Sequence, residues 1–143
     1  MNIKNKKLNI LCLPREFFPT NRAILADLWN NEIAKTNNLH WVMLHGGQST
    51  KVTWGSSRLT LVKLDKSSNS LIAKFKLLFV QIKRFSECKK LFKENDFNFI
   101  FVRNGVMESL MALYFKRKHN VKFCFHLSSM HGYHDIFKES SST

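Results

Sequence analysis

The chain has few of the residues that break or cross-link a fold. Two prolines and five glycines in 143 residues exclude a loop-rich or low-complexity architecture. The three cysteines, Cys12, Cys88 and Cys124, include no CxxC pair and are odd in number. That excludes a disulfide framework and fits a reducing, cytoplasmic compartment. Cys12 and Cys124 sit in apolar runs, where a thiol is expected to pack as a small hydrophobe. No apolar run approaches the roughly 18 residues of a spanning helix. The start MNIKNKKLNILCLPREFF turns from basic to apolar as a secretory leader does. Its apolar core Leu8–Leu13 is interrupted by Pro14-Arg15-Glu16 and is too short for one. GxGxxG, GxxxxGK[ST] and GxSxG are all missing, which excludes the dinucleotide fingerprint, the P-loop and the hydrolase elbow. Acidic groups are scarce as well, with 10 Asp and Glu against 23 Lys and Arg.

What is present is apolar and basic. Hydrophobic residues make up 44% of the chain and 13 of them are Phe, enough for a real core in one domain over residues 1–143. The net charge of +13 attracts polyanions, whether nucleic acid, lipid headgroups or phosphorylated substrates. Short apolar runs at Leu8–Leu13, Leu39–Leu44, Phe97–Val102 and Val121–Leu127 read as buried strands. Val52–Trp54 and Arg58–Leu64 flank Gly55-Ser56-Ser57 and read as a hairpin. Helices are expected from a Thr20 or Asn21 cap to about Lys35, over Ser70–Asn95 and from Val106 to about Lys118. In the long one, Leu71, Phe75, Leu78, Ile82, Phe85 and Phe92 fall on one face, expected to be the core face, with lysines between. Alternating strands and helices predict an α/β fold: a Rossmann-like, mostly parallel sheet with helices on both faces. Ligands in such sheets bind beyond the carboxyl ends of the strands, which singles out loops 14–22, 45–50, 103–106 and 127–135.

The stretch FCFHLSSMHGYHD places His126, His131 and His134 within nine residues. His131-x-x-His134 has a ligand-like spacing, but no second His or Cys pair completes it, and neither His40 nor His45 supplies one. No metal is predicted. His126 closes an apolar strand, from which its ring can be aimed into the cleft as a hydrogen-bond donor or base. The alternative is a partly buried imidazole bonded to backbone. Arg103 follows a strand and precedes a helix N-terminus, a place suited to phosphate or carboxylate. Arg15, Glu16 and Arg22 lie on the first strand–helix loop.

Two segments carry a resemblance. NILCLPREFFPTNRAILADLWNNEIAK resembles the first strand, Pro-containing loop and first helix of GT-B-fold glycosyltransferases of the group 1 (family 4) type. DFNFIFVRNGVMESLMALYFKRKHNVKFCFHLSS resembles a strand–helix–strand of their N-terminal half, with FHLSS at the acceptor-side His or Ser motif. The first loop reads FFPTNRA where that family usually has Gly-Gly, and the C-terminal donor-binding domain with its paired glutamates is absent from the 143 residues. The resemblance implies an acceptor-binding half of an enzyme that transfers a sugar from a nucleotide-sugar donor, as in cell-surface polysaccharide or glycolipid synthesis. It implies no metal and no other cofactor, and no transfer by this half alone. It makes His126 the catalytic candidate and Arg103, Asn104, Ser128, Arg15 and Glu16 the substrate-side set, with a carbohydrate or lipid-linked acceptor as partner.

A second reading stays open: a non-catalytic basic α/β module for nucleic acid or anionic membrane. Nucleic acid is disfavoured, since most Phe residues occupy core-type positions and no aromatic RNA-binding strand is evident. The Lys-rich Ser70–Asn95 helix suits a peripheral place on the inner face of a membrane.

Overall fold

The computed structural model describes residues 6–64 and 70–128. Six strands form one sheet. In chain order they are β1 (Asn9–Pro14), β2 (Asn38–His45), β3 (Thr50–Trp54), β4 (Ser57–Lys63), β5 (Phe99–Arg103) and β6 (Lys122–His126). Their spatial order is β3-β4-β2-β1-β5-β6. All neighbours pair in parallel except the β3–β4 hairpin. Gly55 turns that hairpin at φ 60°, a conformation that costs little without a Cβ. The fold is the expected α/β, Rossmann-like one. Because the chain moves outward from β1 to β2 and later from β1's other side to β5, the strand order reverses between β1 and β5.

Each face of the sheet buries its own core. On one face Ile10, Cys12, Trp41, Met43 and Phe101 pack against α1, whose first part, Ile24–Ile33, is π-wound and whose end, Ala34–Thr36, is α-wound. On the other face Leu11, Leu13, Val42, Ile100 and Val102 pack against α2 (Ser70–Glu94) and α3 (Val106–His119). Alternate strand residues serve opposite faces, which is why β1 and β5 read as continuous apolar runs.

Three expectations are corrected. The first helix is neither α-wound throughout nor capped by Thr20. The Thr20 hydroxyl instead accepts from the Arg22 N–H in a local turn, and the helix closes with Ala34 N–H on Trp29 O. Its buried positions, Leu25, Asn30 and Ala34, step by five and four, the wider pitch of a π-helix.

The core face of α2 is not the Leu/Phe stripe. Its buried line runs Val80, Arg84, Cys88 and Leu91, while Leu71, Phe75, Leu78 and Ile82 are exposed and only Phe85 and Phe92 pack partly against the core. The helix starts beyond the carboxyl end of β4, so its first half overhangs the sheet.

Among the described residues β6 is an edge strand, largely exposed rather than buried, and Cys124 is exposed with it. His131 and His134 lie outside the described residues. Among the described residues no helix is long and apolar enough to cross a membrane.

Candidate functional site

The strand order reverses between β1 and β5, so the connections beyond their paired carboxyl ends leave toward opposite faces of the sheet and a crevice forms between them. Here it is a cleft of about 680 Å³ lined by Arg15, Glu16, Phe17, Arg22, Arg103, Asn104, Leu127 and Ser128. Five of these are the residues that the sequence singles out as substrate-binding. They come from the ends of three strands, and the backbone fixes them relative to one another. Arg15 N–H donates to Arg103 O and Asn104 N–H donates to His126 O, each at 3.0 Å. Asn104 takes the left-handed conformation, φ 55°, which Asn tolerates better than most residues. There its side chain clasps Ser128 from both ends. Asn104 Nδ2 donates to Ser128 Oγ at 2.6 Å, and Ser128 N–H donates to Asn104 Oδ1 at 2.8 Å.

Arg103 departs from expectation. The sequence places it as an open anion contact, but it is buried and ion-paired with Glu16, and burial pulls its pKa down. The pairing follows from parallel register: Pro14 stands opposite Arg103, so Glu16 arrives two residues later above the same strand end. Glu16 Oε2 and Arg103 Nε are buried and have no hydrogen-bond partner among the described residues. Arg15 and Arg22 are exposed at the rim. The cleft therefore presents three guanidinium groups and one carboxylate, a net positive site with spare polar atoms on its floor.

His126 stands opposite Arg103 in the β5–β6 register, so both side chains fall on the α1 face. Its ring lies 6.4 Å from Phe101, half-buried, with Nδ1 unpartnered among the described residues. It flanks the cleft rather than lining it. The two residues after it, Leu127 and Ser128, do line the cleft.

Two residues at this end of the sheet were not legible as site residues. Arg84, fully buried on α2, pairs with Glu108 in the first turn of α3. Its Nη2 also donates to Pro14 O at 2.6 Å and Val42 O at 2.7 Å. This cation ties both helices to the end of β1, immediately before Arg15 and Glu16. The only sequence signal is an arginine on the Val80–Cys88–Leu91 line, where an apolar residue would be the rule.

The other early candidates lie elsewhere. His45 Nδ1 bonds Phe18 O, and loop 45–50 does not reach the cleft. Among the described residues no three His, Cys, Asp or Glu side chains converge as a metal site. A hollow of about 710 Å³ at the opposite, amino end of the sheet includes His40, Lys51, Arg58 and Glu94. It is away from the strand carboxyl ends, and its Lys51 already pairs with Glu94 at 3.8 Å.

His40 is buried there against Thr60 Oγ1 at 2.8 Å, and burial, together with Arg58 and Lys51, pulls it down to about 4. An unfolded imidazole takes its proton near pH 6.5. Between those values the unfolded chain binds more protons than the folded one, so this contribution to stability is intact above about pH 6.5 and is lost as pH falls toward 4. Urea midpoints measured from about pH 7 down to about pH 4.5 are expected to fall, and His40→Asn to flatten the slope. An unchanged slope in the variant would move the effect to another group.

No family model and no curated protein matches this chain. Solved structures do. The C-terminal domain (residues 83–215) of a hydrogenase from Pyrococcus furiosus superposes with a TM-score of 0.55 at 14% identity, covering 83% of this chain and 91% of that one. A second structure of that domain (residues 78–226) gives 0.54 at 16% identity, with 84% and 91% covered. At this identity the likeness concerns the fold alone.

Proposed function

We propose that the chain is the acceptor-binding half of a glycosyltransferase, with the switch-point cleft as its acceptor site. One observation carries the reading. Arg15, Glu16, Arg103, Asn104 and Ser128, contributed by three strand ends, meet in a single positive cleft where open α/β sheets bind their ligands. The guanidinium groups suit a phosphate on a lipid-linked or phosphorylated acceptor. Glu16, Asn104 and Ser128 offer acceptors and donors for sugar hydroxyls. His126, beside the cleft, takes the proton of the attacking acceptor hydroxyl, while the nucleotide diphosphate leaves the anomeric carbon with the bonding electrons. In this reading the nucleotide-sugar donor is held by a separate domain that faces the cleft.

The test is amide NMR of the chain titrated with inorganic pyrophosphate, farnesyl phosphate and a neutral disaccharide. The phosphates are expected to shift Arg15, Arg103, Asn104 and Ser128, with the disaccharide weaker. No shift at these amides with any of the three would refute the reading. Binding of random duplex DNA that displaces pyrophosphate and falls steeply with salt would favour the non-catalytic basic module.

A further inference from the structure

The apolar side chains on the first half of α2 are largely exposed. Phe75 and Phe79 are each 64% exposed and Ile82 56%. α3 continues the surface with Val106 at 77% and Leu110 at 56%. An apolar groove of about 260 Å³ runs between the helices, with Leu78 and Ile82 on one wall and Met107 and Leu110 on the other. Contiguous exposed apolar surface of this kind marks a contact face.

Charge identifies the contact. Lys74, Lys76 and Lys83 flank the α2 residues, and Arg117 and Lys118 lie at the far end of α3. Among the described residues no acidic side chain pairs with them. The first on α2 is Glu87, bonded to Lys90, and the only one on α3, Glu108, is buried on Arg84. A second copy, also at +13, would bring like charges together around this face. An anionic bilayer offers an apolar interior for the side chains and phosphates for the lysines.

We propose that the α2–α3 face docks on an anionic lipid bilayer. Phe75, Phe79, Val106 and Leu110 enter the headgroup–acyl boundary, and Lys74 and Lys76 meet lipid phosphates. α2 begins beyond the carboxyl end of β4 and α3 beyond that of β5, so the docked face and the cleft share one end of the sheet. Val106 is two residues from Asn104 of the cleft. Docking holds a lipid-borne acceptor phosphate near Arg15 and Arg22 if the acceptor reading is right, but it does not depend on that reading.

The 143-residue chain is sedimented with phosphatidylcholine vesicles containing about 30% phosphatidylglycerol and with pure phosphatidylcholine, in about 0.05 M and about 0.5 M salt. Binding is expected to be at least about tenfold stronger to the anionic vesicles and to weaken in salt. Phe75→Ser/Phe79→Ser and Lys74→Glu/Lys76→Glu are each expected to lower it by about tenfold or more. Lys74, Phe75 and Phe79 are exposed and Lys76 is half-buried, so thermal melts of the variants should stay close to the parent. Equal binding to both vesicles, or anionic binding that survives both double substitutions, overturns the proposal. So does a homodimer that Phe75→Ser/Phe79→Ser dissolves while vesicles are ignored. Pyrophosphate shifts at the cleft are expected to persist in these variants, which separates failure of docking from failure of the acceptor site.

Discussion

Glu108→Ala is expected to lower stability by about 3–5 kcal/mol, one of the largest losses available from a single substitution here. The carboxylate is buried and answers Arg84, which has no exposure at all. Burial alone pulls the Arg84 pKa down, and Glu108 acts against that. Without Glu108 the guanidinium keeps its charge and retains only two carbonyls, Pro14 O and Val42 O. An ion stripped of its counter-ion inside a protein carries most of its desolvation penalty uncompensated. For a chain of this size the midpoint should fall on the order of 10–20 °C. Arg84→Met/Glu108→Leu removes both charges and is expected to recover most of the loss. The remainder, about 1–2 kcal/mol, reflects the two carbonyls that lose a charged donor. Urea unfolding of the single and double variants measures both quantities. A loss below about 1 kcal/mol for Glu108→Ala would mean that water reaches the pair.

The effect should extend to the cleft. Arg84 holds Pro14 O, and the next two residues are Arg15 and Glu16. Their loop is further held by Phe18 N–H on Leu44 O and by His45 Nδ1 against Phe18 O. One end of the cleft is therefore positioned from the α2–α3 side of the sheet, although its ligand-facing groups lie above the strand tips.

Strands were legible because burial on both faces leaves unbroken apolar runs such as NILCLP and FIFVR. Of the candidate site, the convergence of its loops was legible, but not the pairing of Arg103 with Glu16 or the place of His126 beside the cleft. Once β1 and β5 are read as parallel strands at a reversal of order, the loops after Pro14 and Arg103 must meet, and with them Arg15, Glu16, Arg103 and Asn104. What escaped depended on partners far apart in sequence. Arg84 and Glu108 are 24 residues apart, and each alone reads as an ordinary charged helix residue. The outward stripe of α2 has the period of a core face, and periodicity cannot tell a face that meets the sheet from one that overhangs it. In α1 the inward residue after Leu25 is an amide, Asn30, five positions on, which an α-helical period does not anticipate. For β6, an apolar composition says nothing of its place at the sheet edge.

Glu16→Gln is expected to tighten pyrophosphate binding by about tenfold or more, because Glu16 is an internal competitor for the cation that an anion would use. Its carboxylate pairs with Arg103, the most buried of the three guanidinium groups in the cleft. An incoming phosphate must displace that carboxylate or share the guanidinium with it. Charge-assisted hydrogen bonds are worth about 1.5–3 kcal/mol, and about 1.4 kcal/mol is a tenfold change in affinity. Gln keeps the shape and one acceptor oxygen for Asn104 Nδ2, 3.5 Å from Glu16 Oε1, but it removes the charge. Arg103→Met acts in the opposite direction: it removes the cation and leaves a half-buried carboxylate facing the anion, so pyrophosphate binding should fall by about tenfold or more. The pair of variants separates two roles for Glu16. If it only holds Arg103 in readiness, Glu16→Gln binds phosphates more tightly and sugar hydroxyls no worse. If it recognises an acceptor hydroxyl itself, Glu16→Gln gains for pyrophosphate but weakens a saccharide bearing the same phosphate relative to the phosphate alone. Isothermal titration of both ligands against both variants reads this directly, with thermal melts as the check on folding. A Glu16→Gln protein that binds pyrophosphate less tightly than the parent would show that the anion does not use Arg103, and the cleft would lose its role as a phosphate site.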